Sequence, residues 1–412
     1  MHPPLASRVL ALLAFVSFGL TLWRWMAARR FPLHRRAASS APLPGCTVLK
    51  PLKGCDAQTK SCLRSWLAQV YPGPAQILFG VASADDPVCA LARELLAESP
   101  RADAQLVICD KTLGVNAKIS TLRQLEPLIR HPLVVISDAD VAVPEDLLSN
   151  IAPLFAETEV GLVNCFYRLA NPSGAAMRWE AVAVNADFWS SVLQAQSLRK
   201  VDFALGAVMA LPAARLQAVG GFAVLADFLA DDYQLGQRVA RQGKRIVFSP
   251  VVVDCREPAR NWAQVWSHQV RWARTIRACQ PLPYFLSILD NATAWPLLWL
   301  AVHAASLFSF ERTVIRSPTS LPSGYQVVSY AVHVSPILWV CLVFFAFRVG
   351  TALDLERRLT GCNAHFGWFW MAPLKDLLNV AVWAAAFTGN QIQWRGGRYR
   401  ILPGGRLQRS LK

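Results

Sequence analysis

Long apolar runs stand at both ends of this chain. The middle alternates short apolar runs with mixed segments. A membrane-crossing helix needs roughly 20 predominantly apolar residues. The segment Val9 to Ala28, VLALLAFVSFGLTLWRWMAA, meets that need with one interruption, Arg24. A long cationic side chain can snorkel to the interface, so residues 1–30 are read as an N-terminal transmembrane anchor. Arg29, Arg30, Arg35 and Arg36 follow the run. Basic residues gather on the cytoplasmic side of membrane helices, so the N-terminus is expected outside and the bulk of the chain inside. A cleaved signal peptide would carry its charges before the apolar run, and here they lie mainly after it.

Three more runs fill residues 284–390. LLWLAVHAASLFSF ends near Phe310, VVSYAVHVSPILWVCLVFFAF near Phe347 and FGWFWMAPLKDLLNVAVWAAAF near Phe387. They predict C-terminal transmembrane or interfacial helices, followed by a basic tail over residues 391–412. The last run holds Lys375 and Asp376. Charge inside a span is costly, so this run is expected to lie partly along the interface with the pair facing water. If every run crossed, the Arg-rich tail would emerge on the outside, against the charge rule. The last run is therefore expected to be re-entrant, or the count to differ.

Residues 43–280 read differently. CTVLK, AQILFGVA, AQLVIC, PLVVIS and VGLVNC carry β-branched residues and are bounded by turns. Helical patterns such as QTKSCLRSWLAQV and PVCALARELLAES lie between them. This alternation predicts an α/β domain, a mostly parallel sheet with helices on both faces.

Ligands of such sheets bind beyond the carboxyl ends of the strands, and acids stand there. Asp138 and Asp140 follow PLVVIS. An exposed loop pair is the default for DxD, but carboxylates at a strand end suit Mg²⁺ or Mn²⁺ together with a diphosphate. Asp85 and Asp86 follow AQILFGVA and precede Pro87. A helix cap and a nucleobase contact both remain open for Asp86. The segment DFLADDYQLGQRVARQG contributes Asp231 and Asp232 before a helical pattern ended by Gly243. Adjacent acids cannot share a face, so one can cap or orient while the other accepts a proton. WSHQVRWARTIR mixes Trp266, Trp272, Arg271, Arg274 and Arg277. It fits an interfacial helix, or an active-site wall in which Trp packs the acceptor and Arg contacts the diphosphate.

Composition narrows the classes. The chain has 412 residues, a net charge of +15 and 54% hydrophobic residues. That basic balance suits anionic headgroups or a phosphate-bearing substrate. A nucleic-acid partner is not expected, because the soluble part lacks a contiguous basic face interleaved with aromatics. The ten Cys show no zinc spacing and read as small core hydrophobes of a reducing compartment. No GxGxxG follows the first strand, and neither a P-loop nor a GxSxG elbow occurs.

VLKPLKGCD, ADDP, GVNAKISTL, SDAD, LADDYQLG and HQVRW together resemble the ceramide glucosyltransferase family, in its order and at similar spacing. The resemblance runs from the first anchor to about residue 280. It implies a GT-A, Rossmann-like nucleotide-sugar-binding domain flanked by transmembrane helices. It implies nucleotide contacts at Lys50, Pro51, Asp86, Lys118 and Asp138, and a divalent metal at Asp138 and Asp140. It makes Asp232 the general base beside Asp231, which stands where the family often has Glu. Arg271 and Trp272 match the end of the family's (Q/R)xxRW motif, with His268 departing from its first position. Similar HxxRWARTIR runs look like bacterial members associated with hopanoid lipids. The implied reaction is inverting transfer of a hexosyl unit from a UDP-sugar to a lipid hydroxyl. The implied place is the bacterial inner membrane, with the catalytic domain cytoplasmic. The alternatives are N-acetylglucosaminyl transfer to a hopanoid, a processive polysaccharide synthase and a silent membrane scaffold.

Overall fold

The computed structural model describes residues 5–36, 43–304, 307–316, 326–362, 366–368, 370–394 and 397–409. Helix α1 (Leu5–Arg30) opens the chain. Then come β1 (Cys46–Leu52), α2 (Thr59–Leu67), β2 (Ala75–Val81), α3 (Val88–Glu98), β3 (Asp103–Ile108), α4 (Ala117–Leu125), β4 (Leu133–Ser137) and β5 (Val141–Ala142). They are followed by α5 (Leu147–Ile151), β6 (Val160–Leu169), α6 (Gly174–Val182), α7 (Trp189–Leu198), β7 (Val208–Pro212) and α8 (Ala213–Ala218). The α/β region ends with α9 (Asp231–Arg241), β8 (Arg245–Cys255) and α10 (Trp262–Cys279).

Eight strands form one sheet in the order β3-β2-β1-β4-β7-β6-β8-β5. The first four run parallel, in the βα alternation expected. The second half is mixed: β7 is antiparallel to β4 and β6, β8 is parallel to β6, and β5 is antiparallel to β8. A strand buried on both faces reads as a continuous apolar run whatever the direction of its neighbour, so the sequence pattern was blind to this reversal. Along β1 and β4 successive side chains enter opposite cores. Leu49 and Ile136 join one cluster, Val48 and Val135 the other.

The C-terminal part differs from the expected spans. It holds α11 (Pro281–Leu286), α12 (Ala294–Val302), β9 (Phe308–Arg316), β10 (Gln326–Val334), α13 (Pro336–Thr360) and α14 (Met371–Phe387). Among the described residues two helices are long and apolar enough to cross a membrane, α1 and α13. Residues Pro281–Asp290 and Ala294–Val302 would add a third if that pair, bent by 53°, is one span. The run ending near Phe310 is therefore helix only to Val302 and strand from Phe308. The run ending near Phe347 begins as β10 and becomes helical only after Ser335, whose hydroxyl accepts from the Ile337 N–H, with Pro336 preset for the first turn.

Two expectations about charge are overturned. Arg24 does not snorkel: it is buried and pairs with Asp290 at 2.7 Å. Lys375 and Asp376 do not face water: both are buried. Arg348 of α13 reaches Asp376 through Nε at 2.8 Å and Asp187 at 2.8 Å, and Lys375 joins Asp187. Buried charge is tolerated because it is paired, and pairing partners far away in sequence cannot be read from a local pattern.

The tail forms β11 (Gln391–Trp394), β12 (Gly397–Ile401) and β13 (Leu407–Arg409). It folds back onto the loop before α9. The Leu407 N–H donates to Asp227 O at 2.7 Å and the Leu229 N–H to Gly405 O at 3.1 Å. The tail thus lies on the same side as the α/β region, and α14 packs on α6 and α10 rather than carrying the chain away.

Replacing Arg348 with Met is expected to leave two buried carboxylates, Asp187 and Asp376, to share the single cation Lys375. Breaking one side of a buried charge network costs about 3–5 kcal/mol. Thermal unfolding of the detergent-purified protein should show a large loss of stability.

Candidate active site

The turn after β4 is fixed from beneath. Lys50 is fully buried, and its Nζ donates to Asp138 O at 2.5 Å, Val141 O at 3.1 Å and Ser137 Oγ at 3.4 Å. Burial pushes its pKa down to about 8, against the pull of nearby acids. Pro51 is buried beside it, opposite Gly80 in β2. The sequence reading put both in contact with a nucleotide. In the structure both are buried, with Lys50 bonded to the backbone of the Asp138–Val141 turn.

Above that turn sits Lys118. Asn116 caps α4, its side chain accepting from the Lys118 N–H at 2.9 Å and the Ile119 N–H at 3.3 Å. This delivers the Lys118 Nζ to 2.7 Å from Asp138 Oδ1 and 3.0 Å from Asp231 Oδ2. Burial alone would discharge the ammonium, but the Asp138 and Asp231 carboxylates raise its pKa above the usual lysine value.

The two adjacent acids diverge, as their spacing predicted, although neither caps. Helix α9 starts at Asp231, with no side-chain cap, so both lie in its first turn. Asp231 turns inward to Lys118, and Asn116 Nδ2 donates to its Oδ1 at 3.5 Å. Asp232 uses Oδ1 to accept its neighbour's N–H, from Tyr233 at 2.8 Å. Its Oδ2 lies against Gly206. A methyl group there would sit 3.1 Å from Asp232 Oδ2 and 3.4 Å from Asp138 Oδ2. Acids from the end of β4 and the start of α9 thus converge over one glycine. Burial and the Asp231 charge push the Asp232 pKa up to about 7, against the opposing pull of Lys118.

The donor set suits a hard cation. Burial, then the Asp138 charge, raises the Asp140 pKa, a conflict that a cation would relieve. Among the described residues no group of three or more His, Cys, Asp or Glu is arranged as a metal cage. Two carboxylates without a cage match ions that keep water and take substrate phosphates as ligands.

Asp86 lies at another strand end. Its two oxygens accept the Gly54 N–H, each at 3.0 Å, and Oδ1 also accepts the Val88 N–H at 3.0 Å. Asp86 is not the N-cap of α3, a place taken by Pro87, but its carboxylate ties the loop after β1 to the start of that helix. Helix α10 carries an aromatic cluster. Trp272 packs on His268, with centroids 4.6 Å apart, and on Phe188 at 6.3 Å. His268 Nδ1 lies 2.6 Å from Glu180 Oε1, which also accepts from Gln269 at 2.8 Å. Arg271 is half-buried in the same helix. Arg274 and Arg277 turn instead to the segment after α14, donating to Gln391 O and to Asn390 Oδ1.

The family model described as "Glycosyl transferase family 21" matches residues 9–317 and 309–407. The chain belongs to glycosyl transferase family 21. It is 22% identical over 383 residues to "Ceramide glucosyltransferase 3" of Caenorhabditis elegans, covering 92% of this chain and 77% of that protein. It is 22% identical over 404 residues to "Ceramide glucosyltransferase 1" of the same organism, covering 98% and 79%. Among solved structures it resembles "Mannosyltransferase PcManGT from Pyrobaculum calidifontis in complex with GDP-Man and Mn2+", with a TM-score of 0.52 and 20% identity over 91% of this chain and 99% of that one. The fold is GT-A-like, and the protein is a glycosyltransferase.

Several positions of this family 21 enzyme escaped the sequence reading. Asn116 left a signal, as an N-cap residue just before α4. Gly206 and Glu180 left none, because each matters through neighbours distant in the chain. Gly206→Ala is expected to keep the fold and displace the facing carboxylates by a few tenths of an ångström. Small misplacements of reacting groups are costly, so turnover should fall about tenfold, with an unchanged unfolding temperature as the control.

Proposed function

We propose that this glycosyltransferase moves a hexosyl unit from a UDP-sugar to a hydroxyl group of a membrane lipid, inverting the anomeric carbon. One observation carries the reading: of the adjacent acids, Asp231 is spent on Lys118, while Asp232 holds Oδ2 over Gly206, where Asp138 Oδ2 also converges. Asp232 takes the proton of the acceptor hydroxyl as its oxygen attacks the anomeric carbon. The bond from that carbon to the UDP oxygen breaks, and UDP leaves with the electron pair. One base without a second positioned nucleophile favours inversion, by the logic that separates glycosidase classes.

The other residues hold this arrangement. Lys118 fixes Asp138 against Asp231. Asp138 and Asp140 would hold Mg²⁺ or Mn²⁺, which when bound offsets charge developing on the departing diphosphate. The mannosyltransferase of similar fold was solved with GDP-Man and Mn²⁺, which supports a nucleotide-sugar donor and a metal here. The ring wall of His268, Trp272 and Phe188 borders the acceptor side.

Two features support a lipid acceptor. The relatives of greatest coverage given above are named ceramide glucosyltransferases. Directly after α10, Leu282, Phe285 and Leu286 expose apolar surface, as a membrane-facing segment would. The arginines following α1, and the basic tail on the same side as the catalytic region, favour a cytoplasmic catalytic face. A bacterial inner membrane fits that orientation.

The test offers purified protein Mg²⁺ or Mn²⁺, a panel of UDP-sugars, and ceramide, diacylglycerol or a polyhydroxylated hopanoid separately. Mass spectrometry reads the product. One new glycolipid is expected, and Asp232→Asn should reduce it at least 10²-fold with UDP binding retained. Near-normal turnover in that variant would refute the assignment. The pH profile gives a second test. A base must be unprotonated, and the Asp232 pKa stands near 7. The rate should therefore fall about tenfold per unit as pH drops below that value, and level off above it.

A further inference from the structure

Arg274 and Arg277 are three positions apart on α10 and share a helix face. With Arg400 of β12 they line a cavity of about 640 Å³, completed by Phe387, Thr388, Gly389, Asn390 and Gln391. The lining contains three arginines and no acid. Every partner given to the two helix arginines there is neutral. Arg274 donates to Ala385 O and Thr388 Oγ1, each at 3.4 Å, and to Gln391 O. Arg277 donates to Gly389 O at 3.3 Å and to Asn390 Oδ1. The Nε atoms of both are buried without a hydrogen-bond partner. Burial, then the like charge of Arg277, lowers the Arg274 pKa. A buried donor without an acceptor is costly, and gathered like charges repel. An anion would answer both.

The surface beside this cavity selects among anions. Phe387 is itself 43% exposed and packs edge-on to Phe285, with centroids 6.4 Å apart. Phe285 is 53% exposed, and Leu282 and Leu286 of α11 add 65% and 47%. A cationic cavity therefore opens next to an apolar strip that continues toward the candidate membrane segments. Guanidinium forks match phosphate oxygens, and basic pockets at membrane surfaces take lipid headgroups.

We propose that the Arg274–Arg277–Arg400 cavity binds the phosphate group of an anionic phospholipid, whose acyl chains lie along Leu282, Phe285 and Phe387. This lipid is neither sugar donor nor acceptor. It seats α10 and the C-terminal tail against the membrane surface.

Arg274→Gln and Arg277→Gln would also remove bonds to the tail, so the test rests on Arg400→Glu, at an exposed position. Arg409→Glu is the charge-matched control. Arg400 pairs with Gln408 and Arg409 with Tyr399, so the two arginines face opposite sides of the small sheet. Full-length protein in mild detergent is given phosphatidylglycerol or phosphatidylcholine, and retained lipid is read by native mass spectrometry. Inorganic phosphate is titrated separately against the unfolding temperature. Preferential retention of phosphatidylglycerol is expected, weakened about tenfold in Arg400→Glu and unchanged in Arg409→Glu. Stabilisation by inorganic phosphate without lipid retention, lost in Arg400→Glu, would keep the phosphate site and assign its ligand to solution. Equal retention of both lipids with no phosphate effect, or equal losses in the two variants, would overturn the proposal.

Discussion

Lys118 sits between Asp138 and Asp231, so the end of β4, the start of α4 and the start of α9 meet at one ammonium group. In an α-helix successive residues point about 100° apart. Once Asp231 is turned inward to Lys118, its neighbour Asp232 must point elsewhere, and it points to Gly206. The same bridge holds Asp138 over that glycine from the other side. Lys50 secures the lower half of the arrangement through backbone carbonyls. One buried cation thus sets the turn and another sets the carboxylates above it. This division lets acids gather here: Lys118 pairs with Asp138 and Asp231, and Asp232 is left able to titrate near neutral pH.

A second set of charges ties this region to the apolar helices. Arg348 of α13 reaches Asp187, and the next residue, Phe188, touches Trp272 of α10. The chain of contacts therefore runs from a membrane-length helix to the ring cluster of α10. Asp187 and Phe188 lie in an unusual π-helical turn, Ala183–Phe188, between α6 and α7. Such turns redirect side chains within a continuous helix. Here one residue of the turn is held by charge while its neighbour packs against the site. The tail adds a third tie, since its backbone pairs with the loop that leads into Asp231.

Much of this was legible in the chain. The apolar run of α1, the strands of the parallel half-sheet and the acids at their ends followed from local pattern, because turn chemistry and periodicity act over a few residues. The divergence of Asp231 and Asp232 also followed, from spacing alone. The short strand VMALP of β7 and the long β8 were not singled out, and with them went the mixed half of the sheet. The buried placement of Lys50 was hidden as well, since a lysine after an apolar run reads the same above a site or beneath it.

The sequence by itself determined the class of fold, the presence of membrane-length helices and the ordered motifs that mark the family. Each depends on neighbours along the chain. Only the tertiary structure decided which cations meet which anions: Lys118 with Asp138 and Asp231, Arg24 with Asp290, Arg348 with Asp187 and Asp376. It also decided that the tail returns to the catalytic region. The physical reason is that a buried charge is governed by whatever group lies within a few ångströms of it, and folding brings that group from tens to hundreds of residues away.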